Sequence, residues 1–178
     1  MLSNIKYSII RIYINTISIK IIKKGLYDFQ GVQRRFNQLF KFQKAIFFDD
    51  YAHHPTEIKE VLNGVKEVYK NWEIICVFQP HRISRIKNLK KEFTMAFKKA
   101  DTVILCPIYK AGENISLGFS YSKFANDLMS KSKVRLIFVK DQHQLAKYTK
   151  QNIYGKKIVI GMGAGSISNW MRNLKKFL

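Results

Sequence analysis

Short apolar runs alternate with amphipathic stretches along residues 44–178, and this alternation constrains the fold more than any other feature of the sequence. The runs are KAIFFDD (44–50), EIICVFQ (73–79), DTVILCP (101–107), VRLIFV (134–139) and KKIVIG (156–161). Runs that are nearly all apolar predict strands buried on both faces, as in a parallel sheet covered by helices. The expected fold class is α/β, a doubly wound, mostly parallel sheet of about five to six strands with helices on both faces.

Two amphipathic segments fit helices that would cover such a sheet. Apolar residues recur at helical spacing after Pro55 and again near residue 178. They are Ile58, Val61, Leu62, Val65, Val68 and Tyr69 in the first segment, and Ile167, Trp170, Met171, Leu174 and Leu178 in the second. Pro55 suits a first helical turn, where no backbone N–H is needed. In such a fold, ligands bind at the carboxyl ends of the strands.

Residues 1–24 differ from the rest, being rich in Ile and lacking any acidic residue. Isoleucines at positions 10, 12, 14, 17, 19 and 21 fit a strand locally, and a helix is equally compatible with the sequence. Arg11 and Lys20 interrupt the apolar run, so we expect no membrane span. No small-residue cleavage site follows the run, so we expect no secretory signal.

The charge balance is strongly basic, with 32 Lys and Arg against 12 Asp and Glu, for a net charge of +20. Such an excess fits nucleic acid, an anionic membrane surface or phosphate-bearing ligands. The lysines are scattered along the chain, which favours compositional drift over a dedicated nucleic-acid face. Cys76 and Cys106 are the two cysteines, which excludes a disulfide scaffold and a cysteine-based zinc site.

Two dense polar clusters follow the first two predicted strands. One is DDYAHHP (49–55) and the other is QPHRISR (79–85). If the two strands are neighbours, about 4.8 Å apart, the clusters face one shared crevice. A simpler interpretation of the first cluster is that Asp50 or His54 only caps the following helix.

The side chains in these clusters suit anion binding and proton transfer. Arg82 and Arg85 can hold a carboxylate or phosphate through paired N–H donors. Asp50 can accept from ribose hydroxyls or help to hold Mg²⁺. His53 and His81 can donate to an oxyanion or a phosphoryl oxygen.

Two weaker signals accompany the clusters. Zinc held by His53, His54 and His81 is disfavoured, because adjacent histidines on an extended loop point apart. The turn GMGAG (161–165) can bring backbone N–H groups to an anion or serve close packing alone. The sequence contains no G-x-x-x-x-G-K-[ST] phosphate loop.

The motifs DDYAHHPTEI and FQPHRISR, in this order and spacing, together resemble the carboxy-terminal domain of the Mur ligase family. The resemblance continues through GVQRRF (31–36), PIYKAGE (107–113) and GAGSISNW (163–170). It is greatest for the members that add L-alanine to UDP-N-acetylmuramate. It implies that residues 31–178 form such a domain and that residues 1–30 are a poorly matched remnant of the end of a central ATPase domain.

The resemblance implies an ATP-dependent ligase of cytoplasmic peptidoglycan synthesis. In such ligases an acyl phosphate forms from the nucleotide sugar, and the amine of L-alanine displaces the phosphate. By motif, catalytic roles fall to His53, His81 and Arg82, substrate binding to Tyr51, Arg82 and Arg85, and nucleotide binding to Arg35 and Asp50. ATP and Mg²⁺ are the implied cofactors, with Mg²⁺ held mainly by the central domain.

The sequence has no counterpart of the UDP-sugar domain or of most of the central domain. Phosphoryl transfer depends on positioning by the phosphate loop and Mg²⁺, so we expect the chain alone not to form the amide bond. Two interpretations stay open, a gene remnant and half of a split enzyme whose partner chain would dock on residues 9–22. The alternative function is a non-catalytic basic module that binds polyanions or nucleotides, without specificity for a nucleic-acid sequence.

Overall fold

The computed structural model describes residues 17–28, 33–113 and 118–178. The chain forms two compact units, Met1–Val32 and Gln33–Leu178. In the first unit, helix α1 (Ile19–Asp28) is amphipathic. The isoleucines at positions 19 and 21 therefore lie in a helix and not in a strand. Positions 10, 12 and 14 lie outside the described residues.

The second unit is a six-stranded α/β sheet with helices. In chain order its described elements are β1 (Asn37–Phe42), β2 (Ala45–Asp50), α2 (Pro55–Val68), β3 (Glu73–Phe78), α3 (Ile83–Asn88), α4 (Lys90–Met95), β4 (Thr102–Leu105), α5 (Tyr121–Ser132), β5 (Arg135–Phe138), α6 (Gln142–Asn152), β6 (Lys157–Met162), α7 (Ile167–Leu174) and a 3₁₀ turn (Lys175–Phe177). The strand order is β1-β2-β6-β3-β4-β5. The β1–β2 pair is antiparallel and the other pairs are parallel, which confirms the predicted fold class.

Both faces of the sheet are buried at its central strands, as the apolar runs predict, whereas the edge strand β5 is partly exposed, with Phe138 54% exposed. Alternate residues of β3 enter two separate hydrophobic clusters, one on each side of the sheet. Leu62, Phe93 and Phe124 contribute helix side chains to one cluster, and Leu145 and Met171 contribute to the other. Helices therefore cover both faces. In the described residues no helix is long and apolar enough to cross a membrane.

Helix α2 begins at Pro55, as its sequence predicts. His54 is its N-cap, since the Thr56 N–H donates to Nδ1 of His54 and the Glu57 carboxylate accepts from the His54 N–H. The apolar face of α2 is buried at Ile58, Leu62 and Val65. Val68 is an exception to the predicted face, because it lies at the end of the helix and is 74% exposed.

The order of the central strands differs from the expectation. Strand β6 pairs with both β2 and β3 and lies between them, so the two strands are not neighbours, which was the condition for a crevice between adjacent strands. The cause is non-local, because α6 returns the chain from the edge strand β5 to the middle of the sheet. The two polar clusters start from strands that are roughly 9–10 Å apart.

Candidate functional site

The two polar clusters meet above the carboxyl end of β6. We call residues 49–55 the histidine loop and residues 79–85 the arginine loop. The ring centroids of His53 and His81 are 5.8 Å apart, with the rings edge to face. Tyr51 contacts His53 at 5.0 Å and Tyr109 stacks on His81 at 5.5 Å, so four rings form a continuous row. The two clusters therefore face each other, as expected, despite the intervening strand.

The glycine-rich turn after β6 allows this close approach. A Cβ on Gly163 would lie 2.8 Å from the carbonyl oxygen of Gln79, and one on Gly165 would lie 2.5 Å from Cγ of Tyr109. Gln79 also uses its amide oxygen to accept from the Ile167 N–H at 3.0 Å, at the start of α7. The contacts of this turn therefore favour close packing, the second of the two interpretations given above for GMGAG.

In the histidine loop, the imidazole of His53 has a fixed orientation. Its Nδ1 lies 2.9 Å from the carbonyl oxygen of Tyr51, so Nδ1 carries the proton in this hydrogen bond. In the neutral ring, Nε2 is then an acceptor. The backbone N–H groups of His53 and His54 donate to Glu57. Partial burial raises the pKa of Glu57, but these two hydrogen bonds outweigh it and hold the pKa below its ordinary value.

Asp50 is buried and its carboxylate closes a turn. Its Oδ1 accepts from the Ala52 N–H at 2.7 Å, and its Oδ2 accepts from the Phe36 N–H at 2.8 Å. Burial raises the pKa of Asp50 despite these bonds. The neighbouring Arg35 is exposed, and its charge helps to lower the pKa of Glu57, at the start of α2. Nucleotide binding by Arg35 and Asp50 stays a prediction.

Arg34 lies at the site, although the sequence motifs assigned it no role. Its guanidinium lies 4.6 Å from the centre of the Tyr51 ring, and its Nη2 donates to the Gly163 carbonyl at 2.5 Å. Its Nε is 3.8 Å from the buried carboxylate of Asp49, which also accepts from the Ser168 hydroxyl at 2.6 Å. Arg34 and Arg35 of GVQRRF therefore point in different directions. Contacts with residues distant in the chain decide the direction of Arg34.

In the arginine loop, Arg82 adopts a left-handed backbone conformation with φ of 66° and is exposed. Burial, together with the charges of Arg85, His53 and Arg82, lowers the pKa of His81 below its ordinary value. Nδ1 of His81 and Nη1 of Arg85 are buried without a hydrogen-bond partner among the described residues. Buried polar atoms are normally paired, so these two indicate a place where a ligand or water completes the site.

The structure thus brings Tyr51, His53 and His81 into contact and puts Arg82 and Arg85 on the adjoining loop. In the described part of the chain, no three His, Cys, Asp or Glu side chains come together in a way that could hold a metal ion. The zinc alternative therefore gains no support. Tyr109 and Glu113 also lie beside these residues, and the sequence signal for them is the position of PIYKAGE directly after a predicted strand.

A mostly parallel sheet with helices on both faces defines an α/β domain of the doubly wound class, and the His and Arg side chains gather at the carboxyl edge, where domains of this class bind ligands. Residues 34–165 match the family model described as "Mur ligase, glutamate ligase domain". The chain therefore belongs to the Mur ligase family, which confirms the resemblance seen in its motifs.

Individual relatives agree with this assignment. The chain is similar to the UDP-N-acetylmuramate–L-alanine ligase of Pelagibacter ubique, with 66% identity over 162 residues, covering 91% of this chain and 35% of the relative. It is similar to the crystal structure of UDP-N-acetylmuramate–alanine ligase from Thermotoga maritima, with a TM-score of 0.66, 29% identity, and coverage of 86% of this chain and 31% of the other. The fold also matches a murein peptide ligase from Psychrobacter arcticus, with a TM-score of 0.68, 17% identity, and coverage of 93% and 34%. The chain spans about a third of the length of these relatives.

Proposed function

We propose that the chain forms the carboxy-terminal part of an ATP-dependent ligase that joins L-alanine to UDP-N-acetylmuramate in cytoplasmic peptidoglycan synthesis. The observation that carries this proposal is the meeting of His53 and His81 beside Arg82 and Arg85, with two of their nitrogen atoms buried and unpartnered among the described residues. The 66% identity to a ligase of that name supports the choice of substrates.

In the proposed reaction, the carboxylate of the nucleotide sugar attacks the γ-phosphorus of ATP and ADP leaves. The amine of L-alanine then attacks the acyl carbon, the C–O bond to phosphate breaks, and inorganic phosphate leaves. Both steps create negative charge on oxygen. Arg82 and Arg85 carry guanidinium groups suited to that charge and to the carboxylate of the incoming amino acid.

The amine of L-alanine must lose protons to form an amide, and the histidines are suited to accept one. His53 holds its Nδ1 proton against the Tyr51 carbonyl, which leaves Nε2 as the acceptor in the neutral ring. His81 has a lowered pKa, so it is neutral near pH 7. This geometry favours His53 as a proton acceptor. From its residue type alone, His53 is expected to be a hydrogen-bond donor.

Arg35 and Asp50 are the proposed nucleotide contacts. Arg35 is exposed and can reach phosphate oxygens. Each oxygen of the Asp50 carboxylate accepts one backbone bond and retains a second lone pair that a ribose hydroxyl can use. By the resemblance to such ligases, Mg²⁺ is assigned mainly to the central domain. A chain carrying the other domains is the proposed protein partner.

A hybrid ligase tests the proposal. The full chain replaces the matching third of the Pelagibacter ubique ligase, and UDP-N-acetylmuramoyl-L-alanine is measured by mass spectrometry together with phosphate release. We expect product that requires ATP and L-alanine, and a loss of product in the Arg82→Ala variant. Arg135→Ala is the matched control, because Arg135 is exposed on the edge strand β5. A folded hybrid without product, or an Arg82→Ala hybrid with full activity, contradicts the proposal.

The net charge of +20 favours one alternative, a basic module that binds polyanions. Electrostatic binding of that kind weakens steeply as salt rises, because it depends on the release of counterions. Binding of the full chain to heparin and to ATP at low and high salt separates the two functions. The ligase proposal requires that the chain prefers ATP and that this preference persists at high salt. The alternative requires that the chain binds heparin more strongly than ATP and that high salt abolishes this binding.

A further inference from the structure

Tyr109 joins the loop after β4 to the arginine loop. Its N–H donates to the Pro80 carbonyl at 2.8 Å, and its carbonyl accepts from the Arg82 N–H at 2.9 Å. These two bonds continue the parallel pairing of β3 and β4 as a bridge between His81 and Tyr109. The rings of His81 and Tyr109 are stacked, with an angle of 17° between them. The orientation of the His81 ring is therefore coupled to the ring of Tyr109.

Glu113 holds the other end of the arginine loop. Its carboxylate accepts from the Ser84 hydroxyl at 2.5 Å and from the Ser84 N–H at 3.1 Å, at the start of α3. The hydrogen bonds from Ser84, helped by the charge of Arg82, lower the pKa of Glu113 and keep it ionised. An ionised acceptor makes stronger hydrogen bonds than a neutral one.

Arg82 lies between these two contacts and has an unfavourable backbone conformation. A non-glycine residue with φ of 66° is strained, so this conformation persists only where its surroundings impose it. Tyr109 holds Arg82 and its neighbour His81, while Glu113 holds Ser84 on the other side. The structure thus shows what imposes the conformation of the loop that carries the two candidate catalytic groups.

We propose that Tyr109 and Glu113 are positioning residues, which hold the arginine loop in the conformation that presents His81 and Arg82 to the incoming amino acid. This role rests on the proposed function. It also predicts that the two residues control binding of L-alanine rather than of ATP, because their contacts are with the arginine loop and Arg35 and Asp50 lie outside that loop.

The hybrid ligase provides the kinetic test. Tyr109→Leu removes the stacked ring, and we expect the KM for L-alanine to rise by about tenfold to a hundredfold, with the KM for ATP unchanged. Tyr109→Phe keeps the ring and is expected to behave like the unsubstituted hybrid. An equal rise in both KM values, or no rise for L-alanine, overturns the proposal.

A double-substitution cycle tests Glu113 in the same assay. Glu113→Ala removes both hydrogen bonds with Ser84, whereas Ser84→Ala removes only the hydroxyl bond and keeps the backbone N–H donor. Both are expected to raise the KM for L-alanine, Ser84→Ala by less, and the double variant is expected to match Glu113→Ala, because a contact can be lost only once. Additive effects of the two substitutions overturn the assignment of Glu113.

A measurement on the full chain alone separates this inference from the proposed function. The pKa of His81 is followed by NMR in the unsubstituted chain and the two Tyr109 variants. Tyr109→Leu uncovers the imidazole, so the pKa of His81 is expected to rise toward its ordinary value, while Tyr109→Phe leaves it unchanged. If the unsubstituted hybrid ligase makes no product, the proposed function fails, and this titration still decides. The same pKa of His81 in the Leu and Phe variants overturns the positioning role.

Discussion

Gly165 and Tyr109 are packed so closely that a side chain at position 165 has no room. A Cβ built on Gly165 would lie 2.5 Å from Cγ of Tyr109 and 2.6 Å from Oε1 of Gln79. Tyr109 also stacks on His81. The turn after β6 is therefore in contact, through one tyrosine, with the loop that carries the candidate catalytic residues.

We predict that Gly165→Ala destabilises the fold by about 1–3 kcal/mol, because the added methyl group must displace Tyr109 or Gln79. Urea unfolding followed by circular dichroism measures the change. Gly64→Ala is the control, since Gly64 lies in α2 with nothing within 4 Å of an added Cβ. There the same substitution is expected to stabilise by about 0.5–1 kcal/mol, because alanine favours the helix. A Gly165→Ala variant as stable as Gly64→Ala contradicts the packing at this turn.

The lowered pKa of His81 predicts a specific dependence of stability on pH. Between the folded pKa and the ordinary value of 6.5, the unfolded chain binds more protons at this residue than the folded one. The contribution of His81 is therefore complete above the ordinary value and is lost as the pH falls through the folded value. We expect the unsubstituted chain to lose stability relative to His81→Gln between about pH 7.5 and about pH 5.5, measured by urea unfolding. A difference that is constant over this range rules out the lowered pKa.

The buried carboxylate of Asp49 connects β2 to helix α7 and to the segment that precedes β1. It accepts from Ser168 of α7, and its Oδ2 is 3.8 Å from Nε of Arg34 and 3.6 Å from Nε of Arg172. We predict that Asp49→Ala destabilises by about 1–3 kcal/mol, because the Ser168 hydroxyl loses its acceptor inside the protein. The cost stays moderate since both arginine side chains are partly exposed and can turn to water.

The measurement for Asp49→Ala is the free energy of unfolding in urea, with Asp127→Asn as control. Asp127 forms its ion pair with Lys90 at the surface, and such pairs contribute little to stability. The control is expected to unfold at nearly the same urea concentration as the unsubstituted chain. Equal effects of the two substitutions mean that the Asp49 contacts do not stabilise the domain.

The sequence predicts most of the sheet because its signal is local. A run such as EIICVFQ is apolar at its five inner positions, which requires burial on both faces wherever the strand lies. The position of β6 between β2 and β3 has no local signal, because it depends on how far α6 carries the chain across the sheet. The sequence does not predict strand β1, because the turn that joins it to β2 contains neither glycine nor asparagine.

The candidate site, like the sheet, has residues that the sequence predicts and residues that it does not. His53, His81, Arg82 and Arg85 could be found from the sequence, since polar clusters directly after buried strands collect at one edge of the sheet. Arg34 and Glu113 could not be given roles, because their contacts with Asp49 and Ser84 join segments distant in the chain. The orientation of a side chain within a correctly identified motif is decided by such tertiary contacts.

The two-residue turn between β1 and β2 is a place where the chain can be made more stable. Gln43 and Lys44 have φ of 46° and 69°, so both adopt the left-handed conformation that two-residue hairpins of this kind require. Residues with a Cβ pay for that conformation, whereas asparagine and glycine adopt it readily. We predict that the double substitution Gln43→Asn and Lys44→Gly stabilises by about 1–2 kcal/mol, measured by urea unfolding.

Lys41→Gly is the matched control for this last change, because it introduces the same residue type into the adjoining strand β1. Glycine inside a strand adds conformational entropy to the unfolded chain without relieving strain, so we expect a loss of about 0.5–1 kcal/mol. The opposite signs separate a conformational effect at the turn from a general effect of removing a lysine from a chain of net charge +20. If both variants gain stability, the reduced charge is responsible and the backbone conformation of the turn is not.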